Sequence, residues 1–251
     1  MLDQITPLIL TYNEAPNIAR ALGRLSWARD IVVVDSFSND GTIEMAKLFP
    51  QVRVFQRAFD CHRDQWEFGL KDTGISTPWV LALDADYVVS DELKIELESL
   101  RPEPRTVGYR ANFVYCIKGK ELRSGIYPPV TVLYRREAAS YVQDGHTQRV
   151  ALEGAIEPLH APIFHDDRKS LRRWFRAQTR YTELEAQKLR AADPAALDLA
   201  DRLRRWRVIV PPAMLVYCLV VRGGILDGWA GFYYAFQRAM AEAMLSHRLH
   251  G

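Results

Sequence analysis

Apolar positions in the first third of the chain fall into short runs separated by stretches with helical periodicity. Runs at 5–12, 31–34, 52–55 and 79–83 are rich in β-branched residues, which is typical of buried strands. Helices are predicted over 17–25, 42–49 and about 63–72, and from an Asp91 N-cap to about Leu100. Strands that alternate with helices and are apolar throughout predict a parallel sheet covered on both faces.

The pattern changes after residue 100. Strands at 106–115 and 130–134 follow each other without a crossover helix, which predicts a mixed or antiparallel second half of the sheet. The segment 140–163 has no clear periodicity and contains two glycines and two prolines. We therefore expect an irregular segment there, and long irregular segments in compact domains are frequently functional.

The C-terminal third is predicted to be helical and amphipathic. Over 168–190, basic residues recur three or four positions apart, at Lys169, Arg172, Arg173, Arg176 and Arg180. Asp193-Pro194 is typical of a helix start, and that helix would end in a cluster of arginines at 202, 204, 205 and 207. The apolar run 208–221 and the aromatic segment 223–236 follow. These patterns divide the chain into a domain over 1–165 and a helical region over 166–251.

Composition excludes several classes of protein. The 251 residues hold 33 Lys and Arg against 31 Asp and Glu, a balance that gives no support for nucleic-acid binding. The basic excess is local, with 12 Lys and Arg against 7 Asp and Glu over 166–207. Three widely spaced cysteines form neither a disulfide framework nor a zinc site. With no signal-peptide pattern and no apolar run of about 18 residues, we expect a cytoplasmic protein.

The strongest chemical pattern is Asp84-Ala85-Asp86, directly after the apolar run 79–83. Two carboxylates at a strand end suit a hard cation such as Mg²⁺ or Mn²⁺, which completes its shell with substrate phosphates. Polar residues also follow the two earlier strands, at 11–14 and at Asp35, so the three clusters are placed to line one crevice. The alternative is that these residues form solvated turns and helix caps.

Three segments together resemble a known family. LTYNEAPNI (10–18), VVVDSFSNDGT (32–42) and LALDAD (81–86), in this order and spacing, resemble the inverting family 2 glycosyltransferases of the GT-A fold. Within that family they are most similar to the lipopolysaccharide core β-glucosyltransferase subgroup, and a fainter likeness continues through 165–189 and 223–236. The resemblance implies a Rossmann-like, mixed and mostly parallel sheet flanked by helices, and a nucleotide-sugar donor, most commonly a UDP-sugar.

The resemblance also implies roles for individual residues. The residues expected around the donor are Thr11, Tyr12, Asn13, Glu14, Asp35, Arg63, Gln65, Asp84, Ala85 and Asp86. Asp86 would hold the metal, while Arg63 would neutralise phosphate and Gln65 would read the uracil edge. A helix start with exposed polar residues is the alternative for the last two.

His165 is a candidate further metal ligand, because some GT-A enzymes complete the metal shell with a downstream histidine. The alternative is that the sequence His165-Asp166-Asp167 caps a helix that begins at Arg168.

The general base is predicted in the loop 141–150. Where relatives often carry a glutamate before an Arg-Val pair, this chain has Gln148, and an amide is not a base. Asp144 is the nearest carboxylate and our candidate base, with Glu153 and His146 as alternatives. Tyr87 is a second departure, since many relatives place an acidic residue after the second aspartate.

Two further classes of function compete with an enzyme of this family. The two departures, Gln148 and Tyr87, are compatible with a non-catalytic sugar-nucleotide-binding or membrane scaffold protein. A nucleotidyltransferase would show a glycine-rich basic loop after the first strand, whereas residues 13–16 read NEAP.

The C-terminal basic and apolar segments together are typical of a protein surface attracted to anionic lipid. We expect peripheral attachment to the inner face of a bacterial inner membrane and a lipid-linked or lipopolysaccharide-type acceptor. A homodimer interface is the alternative use of the apolar segment.

Overall fold

The computed structural model describes residues 1–144, 147–191, 193, 204 and 208–250. The chain divides into two compact units, one formed by Met1–Val114 and Tyr127–Arg168 and the other by Tyr115–Ile126 and Lys169–Gly251. The functional boundary expected between residues 165 and 166 stays a prediction.

Thirteen strands occur in the described residues: β1 (Ile5–Thr11), β2 (Ile31–Asp35), β3 (Val52–Gln56), β4 (Trp79–Asp84), β5 (Tyr87–Val89), β6 (Thr106–Ala111), β7 (Phe113–Ile117), β8 (Lys120–Glu121), β9 (Val130–Arg135), β10 (Ala139–Asp144), β11 (Thr147–Leu152), β12 (Ala155–Pro158) and β13 (Ile163–His165). The helices are α1 (Ile18–Gly23), α2 (Thr42–Ala46), α3 (His62–Lys71), α4 (Asp91–Ser99), α5 (Leu171–Ala191), and two that we name by range, Val210–Val216 and Trp229–His250. A π-helical turn covers Tyr217–Val221, and short 3₁₀ turns cover Leu2–Gln4, Arg136–Ala138 and Gly224–Asp227.

The first unit is built on a seven-stranded sheet in the order β12-β6-β9-β4-β1-β2-β3. Neighbours from β4 to β3 are parallel, β9 is antiparallel to both β4 and β6, and β12 is parallel to β6. The predicted α/β class, with a mixed and mostly parallel sheet flanked by helices, is confirmed.

Alternate residues of β1 explain how both faces of the sheet are covered. Ile9 packs on one face with Leu22 of α1 and Leu93 of α4, whereas Leu8 packs on the other with Trp66 of α3. The chain moves to opposite sides of β1 when it forms β2 and β4, so the carboxyl ends of β1 and β4 flank a topological switch point, where open α/β sheets bind ligands.

Two expectations about local structure were wrong. The segment 140–163 is not irregular, because β10 and β11 form an antiparallel hairpin and β12 joins the main sheet. The cluster around Trp66 includes Tyr141 of β10 together with Val150 and Leu152 of β11. Burial of alternate residues therefore stabilises these strands, although the segment is too polar for its sequence to predict them. Ser90, not Asp91, caps α4, since its hydroxyl accepts from the Leu93 amide at 3.0 Å.

In its described residues, the second unit is mainly helical and contains one antiparallel pair, β7 and β8. Its main core contains Ile117, Cys218 and Tyr234, and α5 packs on the C-terminal helix through Leu189 and Leu245. The helix predicted between residues 193 and 207 lies almost wholly outside the described residues. In the part of the chain that the structure describes, no helix is both long and apolar enough to cross a membrane.

We expect Gly231→Ala to destabilise the protein. A Cβ at this position would lie 1.9 Å from the carbonyl oxygen of Gly224, so the turn and the C-terminal helix would have to separate. Overpacking of this kind costs about 1–3 kcal/mol in free energy of unfolding, measured by urea denaturation. Gly23→Ala is the matched control, since nothing lies within 4 Å of its Cβ position, and it should be neutral or stabilising by up to about 1 kcal/mol. Equal effects of the two substitutions would contradict the close crossing.

Candidate active site at the carboxyl edge of the sheet

The buried carboxylate of Asp35 organises the loops that follow β1 and β2. It accepts hydrogen bonds from the Thr11 hydroxyl at 2.9 Å and from the Ser38 amide at 2.8 Å. Because both of its oxygens are engaged by the protein, Asp35 acts first as a loop-ordering residue. Its contact with a donor nucleoside, and that of Thr11, stay predictions.

Hydrogen bonds join the loops after β1 and β2 to each other beyond the strand ends. The Asn13 amide donates to the Ser38 hydroxyl at 2.6 Å, and the Asn39 amide donates to the Asn13 side chain at 2.9 Å. Asn13 has a φ of 56°, which asparagine tolerates better than most residues. Tyr12 between these contacts is 59% exposed, so its ring is accessible to a ligand.

Glu14 extends these hydrogen bonds to α2 and to the start of α1. Its amide donates to the Thr42 hydroxyl at 2.7 Å, and its carboxylate accepts from the Asn17 side chain at 2.8 Å. Glu14 therefore holds the loop after β1 against both helices that follow the first two strands.

Gln65 and Arg63 differ in their surroundings although both lie in the first turn of α3. Gln65 is buried, with its amide donating to the Ser36 hydroxyl at 2.7 Å and accepting from Arg57 at 2.7 Å. Arg63 is exposed and bonded to Asp64 at 2.8 Å, a hydrogen bond that raises the pKa of Arg63. Arg57, which the sequence reasoning did not single out, brings a second cation to this edge.

The Asp84-Ala85-Asp86 segment ends β4 at the switch point. Ala85 is 2% exposed and packs into the core, whereas the two carboxylates beside it are only partly buried. The sheet thus presents both acids at the crevice while an apolar residue anchors the turn between them.

His165 is brought to Asp86 by a short antiparallel pairing. β13 pairs with β5 so that His165 lies opposite Tyr87, and its Nε2 atom is 3.3 Å from the Asp86 carboxylate. Burial lowers the pKa of His165, but the charge and hydrogen bond of Asp86 more than reverse this, so the pKa is raised. The two predicted metal ligands, distant in sequence, are therefore neighbours in space.

Ion pairs to the buried Asp166 fix the segment that carries His165. The Arg20 guanidinium donates to the Asp166 carboxylate at 2.7 Å and to its backbone carbonyl at 2.8 Å, and Arg168 pairs with the same carboxylate at 2.8 Å. Asn17 also donates to Asp167 at 2.9 Å. The sequence pattern did not single out Arg20, although Arg20 lies three residues after Asn17, a spacing that brings side chains together on a helix.

These contacts correct the alternative reading of residues 165–167. Asp166 and Asp167 do not cap a helix at Arg168, because α5 begins only at Leu171 and Ser170 receives its first backbone bond, from Trp174 at 3.0 Å. Both aspartates instead turn toward α1, where a cation and an amide satisfy them.

Aromatic rings surround the imidazole. The Tyr127 and Tyr87 rings meet the His165 ring edge-on, with centroids 4.8 Å and 5.5 Å away. The Tyr87 hydroxyl bonds that of Tyr127 at 2.6 Å, and burial raises the pKa of Tyr87. Tyr87 is therefore a packing residue beside the acids and carries no charge at neutral pH.

The hairpin expected to carry the general base is anchored at its start. The Tyr141 ring stacks on Trp66 with centroids 5.5 Å apart, its hydroxyl bonds Tyr134 at 2.6 Å, and its amide donates to Glu67 at 2.6 Å. Asp144 ends β10, but its side chain and all of His146 lie outside the described residues. The role of Asp144 stays a prediction.

A divalent cation is compatible with the chemistry of this edge. Among the described residues, no group of three or more His, Cys, Asp or Glu side chains is arranged to hold a metal by itself. The pair of Asp86 and His165, with Asp84 two residues away, offers carboxylate oxygens, which suit Mn²⁺ and Mg²⁺, and one imidazole nitrogen. Two or three protein donors are sufficient where substrate phosphates complete the shell.

The fold and the strand-end carboxylates define an α/β protein with acidic side chains at the topological switch point of its sheet. The glycosyl transferase family 2 model matches residues 8–140, more than half of the chain, so the chain belongs to glycosyl transferase family 2. An uncharacterized glycosyltransferase of Rickettsia prowazekii is 28% identical over 147 residues, which cover 56% of this chain and 49% of the relative. The chain thus spans about half the length of the curated relatives that it matches.

Solved structures share the fold over almost the whole chain. The mannosyltransferase PcManGT from Pyrobaculum calidifontis, in complex with GDP-Man and Mn²⁺, superposes with a TM-score of 0.56 at 15% identity, covering 98% of this chain and 86% of that one. S. aureus TarS in complex with UDP-GlcNAc gives a TM-score of 0.51 at 13% identity, with coverages of 98% and 89%. These likenesses confirm the GT-A fold class.

We expect Arg20→Met to lower the free energy of unfolding by about 1.5–3 kcal/mol, the usual value of a hydrogen bond to a charged group. The change leaves the buried Asp166 carboxylate with one cation where it had two. Arg24→Met is the matched control, since Arg24 pairs with Asp91 on the surface at 2.7 Å and should cost less than about 1 kcal/mol. Urea denaturation of both variants decides. Equal small losses would show that Arg168 alone neutralises Asp166.

Proposed function

We propose that the protein transfers a sugar, with inversion, from a UDP-sugar donor to a lipid-linked or lipopolysaccharide-type acceptor, using Mg²⁺ or Mn²⁺. The observation that carries the proposal is the contact between His165 and Asp86 at the carboxyl end of β4, beside the hydrogen-bonded loops that follow β1 and β2. We also propose that the reaction takes place at the inner face of the inner membrane, and that the relevant subgroup is that of the lipopolysaccharide core β-glucosyltransferases.

Donor binding is supported by the preorganised loops after β1 and β2. Because Asp35, Ser38 and Asn13 already bond each other, the loops need little ordering when the donor binds. Tyr12 offers an exposed ring for stacking on the base, and Arg63 offers a cation near the start of α3. The uridine preference rests on the family resemblance, since the superposed structures contain both GDP and UDP sugars.

The carboxyl edge of β4 is the proposed site of the diphosphate. Asp86 and His165 would hold the cation, and Asp84 would support the nucleotide side. When bound, a divalent cation neutralises the charge that develops on the diphosphate as the bond to the anomeric carbon breaks. Because the pKa of His165 is raised, its proton competes with a cation, and cation affinity should increase with pH.

Inversion requires a base on the acceptor side. In our proposal Asp144 takes the proton of the acceptor hydroxyl while its oxygen attacks the anomeric carbon, opposite the departing diphosphate. The anchoring of Tyr141 supports this assignment, because it fixes β10, the strand that ends at Asp144. Glu153 and His146 are the competing bases.

We expect Asp86→Asn to abolish metal-stimulated hydrolysis or transfer of a UDP-sugar while the fold remains intact. The amide loses the charge that holds the cation, and the residue lies at a strand end outside the apolar core. Titration calorimetry with Mn²⁺ in the presence of UDP should show the same loss, and circular dichroism should match the parent protein.

Asp91→Asn is the control for charge removal, because Asp91 is exposed and pairs only with Arg24 among the contacts described. It should leave metal binding and turnover unchanged. Normal turnover in Asp86→Asn would refute the metal assignment. A parent protein that binds UDP-sugars without any turnover would favour the scaffold function.

We expect Asp144→Asn to reduce the transfer rate about 10²–10⁴-fold, the range for removal of a positioned base, with donor affinity little changed. Glu153→Gln and His146→Ala serve as comparisons and should each have a small effect. Steady-state kinetics with saturating donor measures the rates. If one comparison variant shows the large loss and Asp144→Asn does not, the base is that residue.

A further inference from the structure

The second unit contains a long stretch that is almost free of surface charge. Between residues 208 and 236 the only charged side chains are Arg222 and Asp227. Asp227 is buried, where its carboxylate accepts from the Ser124 hydroxyl at 2.6 Å and from the Ser124 and Arg123 amides. The single exposed charge of these 29 positions is therefore a cation.

Large apolar side chains of this stretch face outward. Val208, Val216, Val221, Leu226, Trp229 and Phe232 are between 51% and 80% exposed. The Val210–Val216 helix, the π-helical turn, the 3₁₀ turn and the C-terminal helix pack against one another. All of these side chains except Val208, which lies two residues before the first helix, therefore belong to adjoining elements. We call this surface the apolar face.

The inward side of the same elements is already filled. Cys218, Ala230 and Tyr234 form the core with Ile117 and Leu122, and the Tyr234 hydroxyl also bonds the backbone of Ile126. The fold has therefore placed Cys218, Ala230 and Tyr234 inward and left a second apolar side without a cover in the described chain. Extended exposed apolar surfaces of this kind mark sites of interaction.

Charge is divided unequally between the two units. The second holds 17 Lys and Arg against 8 Asp and Glu, a formal +9, whereas the first holds 16 against 23, a formal −7. On α5, Arg172, Arg176 and Arg180 are exposed and spaced four residues apart, on one helix face. The unit with the apolar face is thus also the basic unit.

From this combination we infer that the apolar face inserts into the headgroup region of an anionic bilayer, with α5 supplying electrostatic attraction. The occupant is a bilayer rather than a second copy of the chain, because pairing two units of +9 through one face brings like charges together. An anionic surface is complementary to the same charge. The inference rests on the proposed function in one respect: it names the surface at which the protein would reach a lipid-linked acceptor.

Vesicle co-sedimentation of the full chain tests the inference. Vesicles of phosphatidylglycerol and phosphatidylcholine at low salt should bind the protein, and pure phosphatidylcholine should bind it at least tenfold more weakly. Added salt should weaken binding, since exposed charges are screened within roughly 8 Å at physiological ionic strength. A salt-resistant remainder should persist, because apolar insertion does not depend on charge.

Matched variants separate the two contributions. Leu226→Ser should weaken vesicle binding several-fold, whereas Leu48→Ser in the first unit, at 79% exposure against 80%, should not change it. Replacing Arg172, Arg176 and Arg180 together by Gln should lower affinity about 100-fold, at roughly fivefold for each basic residue near the surface. The triple variant should also show a weaker dependence of binding on salt.

The outcomes distinguish the inference from the proposed transferase function. Binding of vesicles by a protein without sugar transfer would leave the docking surface standing and refute the function. Transfer to a soluble acceptor without vesicle binding would support the transferase function and refute the docking surface. If the protein ignores anionic vesicles at low salt and forms a dimer that Leu226→Ser dissociates, measured by light scattering, the apolar face is a subunit interface and the inference is wrong.

Discussion

The pairing of β5 with β13 is the interaction on which the candidate site depends. It is three residues long, yet it places His165 beside Asp86 across 79 positions of sequence. So short a ladder needs support, and the buried Asp166 supplies it by binding Arg20 of α1 together with Arg168. The position of His165 beside Asp86 is thereby linked to α1 through Arg20.

Strand-end carboxylates divide into two kinds of work. Asp35 directs its oxygens to Thr11 and Ser38 and so fixes the shape of the loops, whereas Asp84 and Asp86 remain at the crevice. A loop held by its own buried carboxylate presents the exposed Tyr12 ring in a defined arrangement. This is the preorganisation that a small polar ligand requires, because ordering the loop on binding would reduce affinity.

Sequence pattern predicted the strands β1 to β4 and the helices between them because each is a local apolar run with one dominant periodicity. It did not predict the β10–β11 hairpin, whose strands are defined by contacts with Trp66 far away in sequence. The carboxylate pair was recognisable from its position after a buried strand. Arg20 was not, since nothing local distinguishes an arginine on α1 that neutralises Asp166 from one that faces solvent.

The burial of Asp227 keeps its negative charge away from the apolar face of the second unit. Burial acts to raise the pKa of this carboxyl, but hydrogen bonds from Ser124 and Arg123 outweigh it and lower the pKa. The ionised group is stable inside, where it fixes Arg123 and Ser124 to the turn before the C-terminal helix. The one acid of the stretch thus works as an internal brace, and Arg222 remains as the surface charge, of the sign that an anionic bilayer attracts.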